Sequence, residues 1–173
     1  DKKTILLITP FIIYPLTSGG KLRIYNLYKR LSREYNLILL SLIHNENERE
    51  YIDKLKEIFT QVHVIHPKTA SNEFLFPQCY KYSYSSFFIE KLNEILETAP
   101  VDIVHIESNE LLYLTKYIKY NPIVYTEHDI SILSHDNSYY NYKKIYGNPL
   151  SCFADYLRIV RYHSAVYNRI DKV

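Results

Sequence analysis

The chain has 173 residues, enough for one domain of ordinary size. Hydrophobic residues make up 47% and charged residues 23%, a balance that excludes a disordered or fibrous chain. Lys and Arg number 21 against 19 Asp and Glu, a net charge of +2, so the basic footprint of a nucleic-acid binder is missing.

Thr4–Thr9 (TILLIT) is a continuous apolar run closed by Pro10, as expected of a strand buried on both faces of a parallel sheet. A loop with Pro15, Ser18, Gly19 and Gly20 follows. From Lys21 the period changes: Ile24, Leu27, Tyr28 and Leu31 fall at helical spacing. Leu37–Ile43 predicts a second buried strand. Glu48–Phe59 predicts a helix with Ile52, Leu55 and Phe59 on one face. Val62–Ile65 predicts a third strand, ended by Pro67. Residues 68–83 have no clean period and read as an irregular, aromatic-rich connection. Phe88, Leu92, Ile95 and Leu96 mark a helix, Val101–Ile106 a strand, Leu111–Ile118 a helix and Ile123–Thr126 a fifth strand. Residues 129–148 give no clear period. A long helix is predicted from Leu150 to about Arg169, with Phe153, Leu157 and Val160 inward and Arg158, Arg161 and Arg169 outward.

Strands alternating with helices predict an α/β fold: a doubly wound, mostly parallel sheet of Rossmann-like type with helices on both faces. Arg169–Val173 reads as a helix end leading into a sixth strand, so the sheet is expected to be one strand short at its C-terminal end. No run approaches the roughly 20 apolar residues of a spanning helix, and no signal pattern opens the chain. Cys79 and Cys152 form neither a CxxC pair nor a disulfide framework. These features predict a soluble, cytosolic single domain.

In an open parallel sheet, ligands bind beyond the carboxyl ends of the strands. Three segments sit there. Ser18-Gly19-Gly20-Lys21 precedes the first helix, where glycines permit close approach and the helix N-terminus favours an anion. The chain has only three glycines, so an adjacent pair carries information. It is neither GxGxxG nor a P-loop, and it also fits a tight turn with no ligand. His105-Ile106-Glu107 puts an imidazole and a carboxylate on one strand face, either as a structural pair or converging on a ligand. Thr126-Glu127-His128-Asp129 gathers four polar residues at a strand mouth. They either pair with one another or face a crevice. His63 and His66 point to opposite faces, His44, His135 and His163 have no evident partner, and no metal site is expected.

Taken in order, Gly19-Gly20-x-x-Arg23, then Asp102-x-x-His105, then Thr126-x-His128-Asp129 resemble the N-terminal half of the family 4 retaining glycosyltransferases of GT-B architecture. The resemblance implies an N-terminal, acceptor-side domain spanning residues 1–173 and a second domain, absent from this sequence, that holds most of the nucleotide-sugar. It implies Gly19 and Gly20 facing the donor phosphates and His128 at the reaction centre. Arg23, His105, Glu107, Thr126 and Asp129 are expected to line or brace the crevice. It further implies transfer with retention from a nucleotide-diphosphate sugar to a glycan or lipid-linked acceptor, in surface polysaccharide synthesis, without a metal or other cofactor. The domain alone is expected not to turn over sugar.

The aromatic stretch Phe74, Phe76, Tyr80, Tyr82, Tyr84, Phe87 and Phe88 reads either as packing on the sheet or as a peripheral contact with the inner face of a membrane. Two other classes stay open: a complete flavodoxin- or dehydrogenase-type domain, and a non-catalytic α/β binding or interaction module. An unfilled sheet edge invites the latter.

Overall fold

A computed structural model describes residues 2–67, 76–127 and 148–173. Five strands form one all-parallel sheet: β1 (Thr4–Thr9), β2 (Asn36–Leu42), β3 (Gln61–Ile65), β4 (Ile103–Glu107) and β5 (Ile123–Thr126). Their spatial order is β3-β2-β1-β4-β5. The chain winds outward from β1 to β3, then crosses back to lay β4 on the other side of β1. That reversal makes the β1/β4 boundary the switch point at which a crevice opens beyond the strand ends. In register, Leu7 lies between Leu39 of β2 and His105 of β4.

Every residue of β1 is buried, because both sheet faces are covered. On one face Ile5, Leu7, Leu37 and Leu39 pack against Ile24, Tyr25 and Tyr28 of helix α1 (Gly19–Leu31), with Leu55, Ile58 and Phe59 alongside. On the other, Leu6, Ile8, Leu40, Val104 and Ile106 meet Phe88, Leu92 and Ile95 of helix α3 (Ser86–Thr98) and Tyr162 and Val166 of helix α4 (Pro149–Tyr167). The doubly wound Rossmann-like architecture is therefore the one observed.

Local structure departs from expectation in four places. The helix expected over Glu48–Phe59 is a 3₁₀ helix, Glu46–Tyr51, followed by the single α turn α2 (Ile52–Leu55). The segment expected as a Leu111–Ile118 helix is 3₁₀ over Asn109–Tyr117. Five consecutive residues there, Leu111 to Thr115, are buried, whereas an amphipathic α-helix leaves one side in water. Within the stretch read as irregular, Gln78–Ser83 is 3₁₀, while 68–75 lie outside the described residues.

The fourth departure is the face of α4. Phe153 is 60% exposed, Leu157 51% and Leu150 81%, while Cys152, Asp155, Ile159, Tyr162, His163 and Val166 are buried. The inward side includes two polar residues, each with partners. Asp155 Oδ1 accepts the Gln78 amide at 2.8 Å, and His163 Nδ1 meets the Tyr167 hydroxyl at 3.0 Å. Past α4, Lys172 pairs in parallel with Val124, and its carbonyl accepts the Tyr125 amide at 2.8 Å, where a sixth strand is expected. No helix among the described residues is long and apolar enough to cross a membrane.

Of the aromatic stretch, Phe76, Tyr80 and Phe88 are buried in the core, and Tyr82 and Phe87 are exposed. Phe74 lies outside the described residues.

Candidate functional site

A cleft of about 570 Å³ opens at the carboxyl ends of β1, β2 and β4. Pro10 and Phe11 come from the exit of β1, Ser18 and Gly20 from the start of α1, and His44 from the exit of β2. Cys79, Tyr82 and Ser83 enter from the Gln78–Ser83 helix, and Ser108 and Glu110 from the exit of β4.

Helix α1 begins at Gly19 with Ser18 as its N-cap, whose Oγ accepts the Lys21 amide at 3.3 Å. The N-cap satisfies one of the four unpaired N–H groups of the first turn and leaves others available to a ligand. No acidic side chain occupies the first turn, while Lys29 and Arg30 occupy the last. The positive end of the helix dipole therefore meets the cleft uncompensated by the helix's own side chains. Gly19 has no positive φ, and a Cβ built on it meets nothing within 4 Å. Neither backbone strain nor internal packing demands glycine there. What it supplies is a bare backbone facing outward.

Under the strand ends lies a polar network. Glu107, with its side chain fully buried, accepts from the half-exposed Arg23 guanidinium of α1 at 2.6 Å. A lone buried carboxylate is costly, and this charge-assisted bond offsets the cost while tying β4 to α1. His105 shares the strand face of Glu107, and its Nε2 lies 3.7 Å from Glu107 Oε1. Its close partners are the Tyr28 hydroxyl at Nδ1 (2.5 Å) and Thr126 Oγ1 at Nε2 (2.8 Å). A neutral imidazole has one donor and one acceptor nitrogen, so one hydroxyl donates to it and the other accepts. Burial raises the Tyr28 pKa well above the ordinary tyrosine value, and the Glu107 charge adds to it. Tyr28 is therefore a neutral hydroxyl at any physiological pH.

Of the expected site residues, the structure brings Arg23, His105, Glu107 and Thr126 into this one network beneath the cleft, and puts Gly20 on the cleft wall. His128 and Asp129 lie outside the described residues. Glu127 accepts from the Tyr167 hydroxyl of α4 at 3.1 Å, on the opposite sheet face from His105. Asp102 does not share the location of His105. It sits at the amino end of β4, where its carboxylate accepts the Thr4 amide at 2.7 Å. Among the described residues, no group of three His, Cys, Asp or Glu side chains is placed to hold a metal ion.

Sequence reasoning missed Tyr28, His44, Ser108 and Glu110. Ser108 has φ 87°, a conformation that costs a non-glycine residue on the order of 1 kcal/mol. It is held there by its amide bond to the Thr126 carbonyl at 3.2 Å and by the Leu111 amide on its own carbonyl at 3.3 Å. The positive φ turns the chain sharply at the end of β4 and brings Glu110 to the cleft, where one carboxylate oxygen accepts from Ser83 Oγ at 2.5 Å. His44, immediately past the exit of β2, was discoverable from the strand-end rule alone. Its Nε2 lies 3.2 Å from the Pro10 carbonyl.

No protein-family model matches this chain, and no curated protein matches its sequence.

Proposed function

We propose that this chain is the N-terminal, acceptor-side domain of a GT-B-type retaining glycosyltransferase, with the α1 end of its cleft receiving the diphosphate of a nucleotide-sugar. The observation that carries the reading is the N-terminus of α1, with two glycines after its Ser18 cap and no acidic side chain in its first turn, opening into the cleft at the switch point of the sheet. As the bond between sugar and diphosphate breaks, negative charge grows on the leaving phosphate. A fixed dipole and oriented amides stabilise that charge without reorganising. In this reading Arg23, His105, Glu107, Thr126 and Asp129 line or brace the crevice, and His128 serves the reaction centre. The missing partner is a second α/β domain bearing a basic phosphate site, and the isolated domain transfers no sugar. The acceptor is a glycan or lipid-linked glycan in surface polysaccharide synthesis. No nucleic acid takes part.

The exposed stripe Leu150, Phe153 and Leu157 on α4, continued by Arg161, supports peripheral contact with the inner face of a membrane. An apolar ridge ending in a cation suits an anionic interface.

The reading frame downstream of Val173 tests the proposal. A continuation through a sixth strand into a second α/β domain with a basic phosphate site is expected. A stop codon at or near Val173 overturns it and favours a stand-alone binding module.

A further inference from the structure

The cleft has two chemically different walls. The α1 wall, Ser18 and Gly20, is electropositive through its amides and dipole. The part of the lining that follows β4 and the Gln78–Ser83 helix carries a carboxylate, Glu110, with hydroxyls from Ser83 and Ser108 and the ring of Tyr82. An anion is favoured at the first wall and repelled at the second. Two different parts of one ligand, or two ligands, are therefore sorted by charge within one cavity.

The second wall is held rigidly. Ser83 is 3% exposed, and its hydroxyl donates to Glu110 Oε2. Its carbonyl accepts the Tyr113 hydroxyl at 3.0 Å, and the Tyr113 amide in turn donates to Tyr162 of α4 at 2.6 Å. With one oxygen of Glu110 taken by Ser83, no bond to the other, Oε1, is found among the described residues. Ordered acceptors of this kind suit a hydroxyl donor. Tyr82 lines the cleft and is 82% exposed, whereas Tyr80 and Phe76, close to it in sequence, are buried in the core. A tyrosine ring left standing at a cleft edge offers an apolar face to the C–H side of a pyranose ring.

We infer that Glu110, with Ser83 and Tyr82, forms a subsite for a neutral, polyhydroxylated sugar ring and that Glu110 is the residue that rejects an anionic one. The inference rests on the glycosyltransferase reading for its role, since this ring is then the end of the acceptor. It narrows the acceptor class to glycans whose terminal sugar carries no carboxylate or phosphate.

Two probes that differ only at C6 test it: methyl glucopyranoside and its carboxylate, methyl glucopyranosiduronate. Each is titrated into the uniformly ¹⁵N-labelled chain, with amide shifts read at Ser83, Ser108 and Glu110. The neutral glycoside is expected to shift these amides in a saturable way, and the uronate to bind about tenfold more weakly, the size of one like-charge contact in a partly desolvated site. Glu110→Gln should keep the neutral glycoside and erase the discrimination. Tyr82→Ala, at an exposed position that the fold does not need, should weaken both probes several-fold. Equal affinity of the wild-type chain for the two probes, no binding of either, or unchanged discrimination in E110Q each overturns the inference. A parallel titration with uridine diphosphate keeps the two readings apart. Diphosphate shifts at Gly19 and Gly20 with no glycoside response sink the sugar subsite alone. A selective glycoside response with no diphosphate response leaves the subsite standing and removes the donor reading.

Discussion

The hydroxyl of Tyr28 and Nδ1 of His105 meet at 2.5 Å, joining helix α1 to strand β4 one layer beneath the cleft. His105 passes the connection on through Nε2 to Thr126 of β5. Three elements that frame the switch point are thus held in one relation by a single imidazole. The ring of Tyr28 is fixed by stacking on Phe59, with centroids 5.7 Å apart. Tyr28→Phe keeps that ring and removes only the hydroxyl, leaving a buried nitrogen short of one partner. A loss of about 1 kcal/mol is expected in urea unfolding. A variant as stable as wild type would show that the bond contributes nothing.

Arg23 and Glu107 differ in what their removal leaves behind. Arg23→Ala takes the charge-assisted partner from a fully buried carboxylate, whereas Glu107→Gln leaves a neutral amide beside a guanidinium that can turn to solvent. Arg23→Ala should therefore be the more damaging, by about 2–3 kcal/mol, less than for a wholly buried pair because Arg23 is half-exposed. Denaturant midpoints of both variants decide it, and the reverse order would contradict the argument.

Helix α4 offers a test of its observed face. Ile159→Ala removes a buried side chain and should cost about 2–4 kcal/mol. Phe153→Ser at the exposed stripe should stay within about 0.5 kcal/mol. Replacing Leu150, Phe153 and Leu157 together by Ser should abolish co-sedimentation with anionic vesicles without altering thermal stability. Unchanged sedimentation would remove the membrane contact.

His163 sets a pH dependence. It is 2% exposed, packed among Tyr80, Tyr162 and Tyr167, with Glu127 reached through Tyr167, and burial lowers its pKa below 6.5. Above about pH 6.5 the ring is neutral in the folded and unfolded chains alike. As pH falls through that value the unfolded chain takes up the proton first. Stability then falls until the folded-state pKa is passed, where the loss levels off. His163→Gln should flatten the slope of unfolding free energy between pH 7 and 5. His63, also lowered by burial and by Lys91, keeps a residual slope in the variant.

The order of strands and helices was legible because buried parallel strands leave unbroken apolar runs and α1 and α3 leave a 3.6-residue period. The face of α4 was not. Its core side contains Asp155 and His163, made tolerable by the Gln78 amide and by tyrosine hydroxyls distant in sequence. Hydrophobicity assigns such residues to water and promotes Phe153 and Leu157 in their place. The surroundings of the cleft divided the same way. The positions of Gly20, Arg23, His105, Glu107 and Thr126 were legible because they fall at strand ends or a helix start. Glu110 was not, because it reaches the cleft only through the positive φ of Ser108, which a serine codon does not announce. Tyr28 looked like an ordinary core position, and its hydroxyl acquires meaning only when β4 is laid beside β1.

Gly19 gives the prediction in which stability and binding part company. An alanine there meets open space in a helical conformation, so Gly19→Ala should leave the fold intact or stabilise it by about 0.5 kcal/mol. If a diphosphate docks on the amides that open α1, the added methyl crowds its approach, and nucleotide-diphosphate affinity should fall about tenfold. A variant that loses stability would show that the glycine serves the fold.

Whether the start of α1 receives a diphosphate is the most direct test of the proposed function. With three glycines in the chain, selective ¹⁵N-glycine labelling gives three amide resonances: Gly19, Gly20 and Gly147. Titration with uridine and guanosine diphosphates should move the Gly19 and Gly20 resonances together and saturably, with the response weakened in the Gly19→Ala chain. Resonances of Gly19 and Gly20 that stay in place at millimolar concentrations of both nucleotides would contradict the account.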